Sequence, residues 1–174
     1  MGRTLTTKNF LKMKILMVCL GNICRSPLAE GILQHKADKT NLNMEVDSAG
    51  TAAYHVGNLP DERSIEVAKK YGIDLTNQRA RQFKKSDFNN FDIIYAMDTE
   101  NYNNILKLAT SKSDEEKVKL ILNEIEPTSN TSVPDPYYGG KEGFENVYQQ
   151  LDMACSKIIN KFEEHKCQLI VNSQ

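Results

Sequence analysis

The segment Lys14-Ile-Leu-Met-Val-Cys19, followed at once by Leu-Gly-Asn-Ile-Cys-Arg-Ser-Pro27, constrains this chain more than any other stretch. Its unbroken apolar run predicts a central strand buried on both faces. The run ends at Gly21 and Asn22, and from Ser26 onward the pattern is helical. Ser26 suits an N-cap, Pro27 suits the first helical position, and Leu28, Ile32 and Leu33 recur at helical spacing. A strand, a tight turn and a helix in so short a span open a βαβ unit.

The remaining pattern repeats that alternation. Strands are expected at Met44–Ala49, Phe91–Met97 and Val118–Leu122. A helix from about Pro60 to Tyr71 should stop at Gly72, where glycine accepts a left-handed C-cap cheaply. A later helix carries Tyr102, Ile105, Leu106 and Ala109 on one face, and the last shows Phe144, Val147, Tyr148, Leu151, Cys155, Ile158, Ile159 and Phe162 at steps of three and four. Strands alternating with helices imply an α/β chain: a single-domain, doubly wound, four-stranded parallel sheet with helices on both faces and an anion-binding loop after the first strand. In such sheets the active crevice lies beyond the carboxyl ends of the strands.

Length and composition remove several classes of function. The 174 residues suit one ordinary domain, and the net charge of -1 offers no field for nucleic acid or an anionic membrane. The apolar runs are too short to span a bilayer and residues 1–12 lack the apolar centre of a secretory signal, so a cytoplasmic location without stable membrane association is expected. Four cysteines form no Cys-x-x-Cys pair, and His35, His55 and His165 lack ligand spacing, so neither a metal nor another cofactor is implied. Met1-Gly-Arg-Thr-Leu-Thr6 matches the loose N-myristoylation pattern, although Met13 could equally be the native start. The expected divisions are an N-terminal extension over 1–12, a catalytic domain over 13–166 and a tail over 167–174.

The chemistry is carried by Cys19-Leu-Gly-Asn-Ile-Cys-Arg25-Ser26. A phosphate dianion needs several donors, and a short loop feeding a helix N-terminus can aim its backbone N–H groups inward while the helix dipole adds positive potential. Gly21 is expected to supply the unusual backbone angles of such a nest, and Arg25 a planar fork for two phosphoryl oxygens. The same field favours the thiolate of a cysteine placed there, which makes Cys19 a nucleophile, with Ser26 able to donate to its sulfur. A leaving phenolate or alkoxide also needs a proton. Val133-Pro-Asp135-Pro-Tyr137-Tyr138 is the natural source, an aspartate held between two prolines beside tyrosines that could partly desolvate it; an ordinary turn with a solvated Asp135 is the local alternative.

These residues resemble the low-molecular-weight protein tyrosine phosphatases from about Met13 to about Lys166, with Val18–Pro27 and Asp135–Gly139 as the two diagnostic strings. Supporting stretches are Asp47–Thr51, Gly57–Arg63, Ala80–Gln82, Met97–Asn101 and Phe144–Gln150. The resemblance implies Cys19 as nucleophile, Arg25 as phosphate binder and Asp135 as general acid and then base. It places Leu20, Gly21, Asn22, Ile23, Cys24 and Ser26 in the phosphate loop, with Asn22, Ser26 and Ser48 holding its shape. Gln78 stands where the family usually adds a histidine to that network. Ile23, Tyr54, Asp98, Tyr137 and Tyr138 would border the substrate, in a crevice deep enough to favour phosphotyrosine over phosphoserine. Cys24 would pair with Cys19 in a protective disulfide, a small packing residue being the alternative.

The implied partners are tyrosine-phosphorylated proteins, a bacterial tyrosine kinase among them, with the enzyme a monomer or weak dimer. Three other readings compete. A protein-arginine phosphatase on the same fold resembles this loop but has threonine where this chain has Ile23. An arsenate reductase would need two further closely spaced cysteines, whereas Cys155 and Cys167 are 12 apart. A catalytically silent phosphotyrosine-binding module would have lost the cysteine, arginine or aspartate.

Overall fold

The computed structural model describes residues 12–172. N-terminal residues 1–11, with the myristoylation pattern, lie outside it. The apolar run at the start of the domain forms β1 (Met13–Cys19), and its side chains alternate between two cores. Ile15, Met17 and Cys19 face one cluster while Leu16 and Val18 face the other. β1 therefore has no solvated side, as its composition requires.

Around it stand β2 (Met44–Gly50), β3 (Ile93–Ala96) and β4 (Val118–Leu120), in the order β2-β1-β3-β4, each pair parallel. The chain passes from β1 to one neighbour, β2, and then crosses to the other, β3. The connections thus diverge beyond Cys19, the position at which doubly wound sheets place their ligands.

Helices cover both faces. The first core holds α1 (Arg25–Lys39), α2 (Glu62–Lys70) and α6 (Gly140–Val171). There Leu28, Ile32 and Leu33 meet Phe144, Val147, Leu151, Cys155 and Ile158, all buried. The second core receives Phe88 from the single-turn α3 (Asp87–Asn90) and Ile105 from α4 (Thr99–Leu106). The exposed α5 (Lys112–Lys117) contains the acidic run Asp114–Glu116. Among the described residues no helix is long and apolar enough to cross a membrane.

Boundaries differ from expectation where a local bond outweighs pattern. α1 begins at Arg25 with Cys24 at its cap position and no side-chain cap bond, because the Ser26 hydroxyl is turned toward the Cys19 sulfur instead. Phe91 does not join β3: its N–H closes α3 on the Asp87 carbonyl. Ile121 and Leu122 turn out of β4 into a 3-10 segment, Ile121–Glu124. Gly72 follows α2 with φ +76°, the left-handed stop its residue type permits. α6 continues past Lys166 to Val171.

Leu151 of α6 is wholly buried in the first core. Leu151→Ala is expected to lower the unfolding free energy by about 2–5 kcal/mol, measured from urea melts.

Candidate active site

The loop from Cys19 to Arg25 takes the shape of an anion nest because its carbonyls are bonded outward. Thr51 N and Ala52 N donate to the Cys19 and Leu20 carbonyls at 2.9 Å, Asp61 N donates to the Ile23 carbonyl at 2.8 Å, and the Ser64 hydroxyl donates to the Cys24 carbonyl at 3.2 Å. Those acceptors are satisfied by β2's continuation and the start of α2, which leaves the loop's N–H groups uncommitted to its own carbonyls. Asn22 N lies 3.3 Å from the Cys19 sulfur and the Ser26 hydroxyl lies 3.0 Å from it.

The left-handed residue of this loop is Asn22, with φ +57°, and not Gly21 as expected. Asparagine tolerates that region because its side chain bonds locally. Here the Asn22 amide donates to the hydroxyls of Ser26 and Ser48, both at 2.9 Å, and its oxygen accepts from Arg81 N at 2.9 Å. At Gly21 a Cβ would stand in tight contact, 3.0 Å from the His55 ring. Ser48 in turn donates to Glu30 at 2.5 Å. Gln78 does not occupy the place expected for it in this network. It donates to the Pro27 carbonyl at 3.1 Å, and its own oxygen is buried without a partner.

Arg25 is buried, and its Nη1 donates to Asp98 at 2.7 Å and to the Val133 carbonyl at 3.0 Å. Asp98, expected at the substrate border, is thus bound to the guanidinium while its other oxygen caps α4 through Asn101 N. Because Val133 N is fixed to the Met97 carbonyl, the segment leading to Asp135 is anchored on the end of β3. Asp135 lies 3.7 Å from Arg25 Nη2 and accepts from Tyr137 N, with 47% of its side chain exposed. The desolvation expected from the flanking tyrosines is therefore slight in the free protein.

Cys19, Leu20, Gly21, Ile23, Cys24, Arg25, Tyr54, His55, Asp135, Tyr137 and Tyr138 line one cleft of about 330 Å³. Cys19 is only 3% exposed at its base, while Tyr54 and Tyr138 are 79% and 92% exposed at its mouth. Burial first, then the Asp61 carboxylate, push the Cys24 thiol up to about 12, so it is protonated near neutrality. Cys155 is buried in the first core and Cys167 is exposed on α6. A larger, more open groove of about 710 Å³ beyond β4 contains none of the cysteines, arginines or aspartates of this constellation.

Sequence reasoning did not single out His55, Glu30, Arg81, Gly50 or the outward bonds from Asp61 and Ser64. The supporting stretches held the available signals, Asp47–Thr51 for Gly50, Gly57–Arg63 for Asp61 and Ala80–Gln82 for Arg81, which presents its N–H to Asn22 while its guanidinium pairs with Asp47 and Asp87.

The model of the family described as low molecular weight phosphotyrosine protein phosphatase matches residues 14–168. The chain belongs to that family. Its members are hydrolases. The family's protein from Schizosaccharomyces pombe is 47% identical over 148 residues, covering 83% of this chain and 92% of the relative. The crystal structure of a protein tyrosine phosphatase from Entamoeba histolytica superposes with a TM-score of 0.82 at 41% identity, covering 89% of this chain and 99% of that one. A Drosophila arginine phosphatase superposes with a TM-score of 0.80 at 36% identity, covering 86% and 98%.

The family's loop is also fixed by close packing. A Cβ on Gly50, at the end of β2, would lie 2.7 Å from the Leu20 carbonyl oxygen and 3.0 Å from the Gly21 carbonyl carbon. Gly50→Ala must therefore displace the loop backbone. Circular dichroism should show the fold retained, while kcat/KM for p-nitrophenyl phosphate falls about 10- to 100-fold.

Proposed function

We propose that this enzyme hydrolyses phosphotyrosine in proteins through a cysteinyl-phosphate intermediate. The observation that carries the reading is the single cleft that joins the Cys19 sulfur at its base, the Arg25 guanidinium beside it and the Asp135 carboxylate above. A phosphoryl group seated in the loop meets converging backbone N–H groups, the positive end of α1 and the free face of Arg25. Nη1 is already committed to Asp98 and Val133, which fixes the plane of the fork before substrate arrives.

In the first step the Cys19 sulfur attacks phosphorus and the P–O bond to the phenol breaks. The bonding pair leaves on the phenolate, which takes a proton from Asp135. In the second step water attacks phosphorus, Asp135 accepts its proton, and the S–P bond breaks with its pair returning to sulfur. The Ser26 hydroxyl stabilises that leaving thiolate from 3.0 Å. Both transition states place negative charge on oxygens facing the same preorganised donors.

Tyr54, Tyr137 and Tyr138 give the cleft aromatic walls, and the apolar Ile23 is part of its lining. A buried nucleophile under an aromatic mouth suits the long phenyl phosphate of tyrosine better than the short phosphoserine. Tyrosine-phosphorylated proteins are accordingly the proposed partners, a bacterial tyrosine kinase among them, and the cytoplasm the proposed location. Under peroxide, a Cys19 sulfenic acid attacked by the Cys24 sulfur would lose water and form the protective disulfide. The likeness to the Drosophila arginine phosphatase keeps phosphoarginine as the second reading.

Turnover of p-nitrophenyl phosphate and of phosphotyrosine, phosphoserine and phosphoarginine peptides, without added metal, tests these assignments. Cys19→Ser should abolish aryl phosphate hydrolysis and Asp135→Ala should lower kcat about 100-fold or more. Preference for the phosphoarginine peptide would move the assignment to the second reading, and no turnover by the folded, reduced wild type would overturn it.

A further inference from the structure

The segment that carries Asp135 is fixed on both sides of that residue. Before it, Val133 is bonded to Arg25 and to the Met97 carbonyl; after it, the Tyr137 carbonyl accepts from Arg63 Nη1 at 2.9 Å. The same Tyr137 donates its N–H to the Asp135 carboxylate at 3.0 Å. Asp135 is therefore strung between two pins, and Arg63, which makes the second, has no part in the two chemical steps.

Arg63 stands in the first turn of α2 with its guanidinium already committed. Nε and Nη2 donate to the two carboxylate oxygens of Asp61, each at 2.9 Å, a bidentate pairing that sets the plane of the fork. The guanidinium carbon lies 4.5 Å from the centroid of the buried Phe144 ring and 5.3 Å from that of Tyr137, inside the range of about 6 Å in which an aromatic face attracts a cation. Nη1 is left as the donor that reaches the Tyr137 carbonyl.

Asp61 is itself tied to the loop that holds the nucleophile. Its N–H donates to the Ile23 carbonyl at 2.8 Å, and its carboxylate caps α2 by accepting from Arg63 N. The Arg63 hydrogen bonds, as the largest cause, hold the Asp61 carboxyl below its usual range, so the pair stays ionised near neutrality. Ile23, Asp61, Arg63, Tyr137 and Asp135 thus form one hydrogen-bonded line from the Cys19 loop to the carboxylate above it.

We infer that Arg63 is a positioning residue for proton transfer: it sets the spacing between the Cys19 loop and the Asp135 carboxylate, so that the proton stands at the leaving oxygen when the sulfur attacks. The inference rests on Asp135 acting as the acid. A misplacement of about 1 Å costs on the order of 100-fold in rate. That cost is selective. A phenol as basic as tyrosine's, with a pKa of about 10, needs the proton as it leaves, whereas a strongly acidic phenol departs as the bare phenolate. A residue that served only the fold, or only the seat of the phosphoryl group, would slow both alike. Lysine is no substitute, since one ammonium lacks the planar fork that holds both Asp61 oxygens and still reaches Tyr137.

The test compares kcat/KM for phenyl phosphate with that for dinitrophenyl phosphate, a ratio that reads cleavage of the P–O bond and not the later hydrolysis of the intermediate. Arg63→Met keeps an apolar cover on Phe144 and removes every donor. Its loss should be about tenfold greater for the phenyl ester than for the dinitrophenyl ester. Arg63→Lys, which retains a cation for Asp61, should show the same bias to a smaller degree. In an Asp135→Ala background Arg63→Met should add no further bias, because the group it positions is gone. Equal losses for the two esters in both variants, a bias that persists undiminished without Asp135, or failure of both variants to fold would overturn the inference. Should Asp135→Ala alone show no bias toward the poorer leaving group, the acid assignment falls first and the inference falls with it.

Discussion

One side chain organises the catalytic end of this molecule. Asn22 adopts a left-handed backbone and spends its amide on Ser26, Ser48 and Arg81 N, so the loop's curvature, the hydroxyl beside the nucleophile and the neighbouring segment are fixed by a single residue. Converging N–H groups repel one another when no anion is present, and a loop built of them needs external restraint. The restraint comes from Asn22 within the loop and from Thr51, Ala52, Asp61 and Ser64 outside it, which hold the carbonyls in the opposite direction.

Asp135 is brought to the cleft by a separate route. Arg25 and Asp135 are 110 residues apart in sequence, yet the Val133 carbonyl accepts from Arg25 and the Val133 N–H is fixed to β3. Arg25 and the segment that carries Asp135 therefore share one anchor, Val133. Asp98 completes it by pairing with Arg25 while capping α4, so the guanidinium is buried without being left uncompensated.

What could be read from the sequence was what lies contiguous in it. Lys14 to Pro27 encodes strand, loop and helix start in one string, and the period of Phe144 to Phe162 marked the long helix that covers the first core. The left-handed angle expected of Gly21 falls on Asn22, a residue type that also reaches it. Glu30 carries no local signature, and Arg81 and Gly50 stood in the sequence only as members of the supporting stretches Ala80–Gln82 and Asp47–Thr51. Glu30 looks like any helical glutamate until Ser48 of the adjacent strand is placed against it. The single-turn α3 is too short to show a period, and the start of β3 was decided by the bond from Phe91 N–H to the Asp87 carbonyl.

The crowding of aromatic side chains at the cleft has an optical consequence. The chain has no tryptophan and seven tyrosines, so its ultraviolet emission arises from tyrosine alone. Three of the seven, Tyr54, Tyr137 and Tyr138, surround the mouth of the cleft, and Tyr137 and Tyr138 stand edge to face with ring centroids 5.0 Å apart. The fold thus places a large share of its chromophores around the cleft that holds Cys19, so the protein's own fluorescence reports on the surroundings of that cleft without a label.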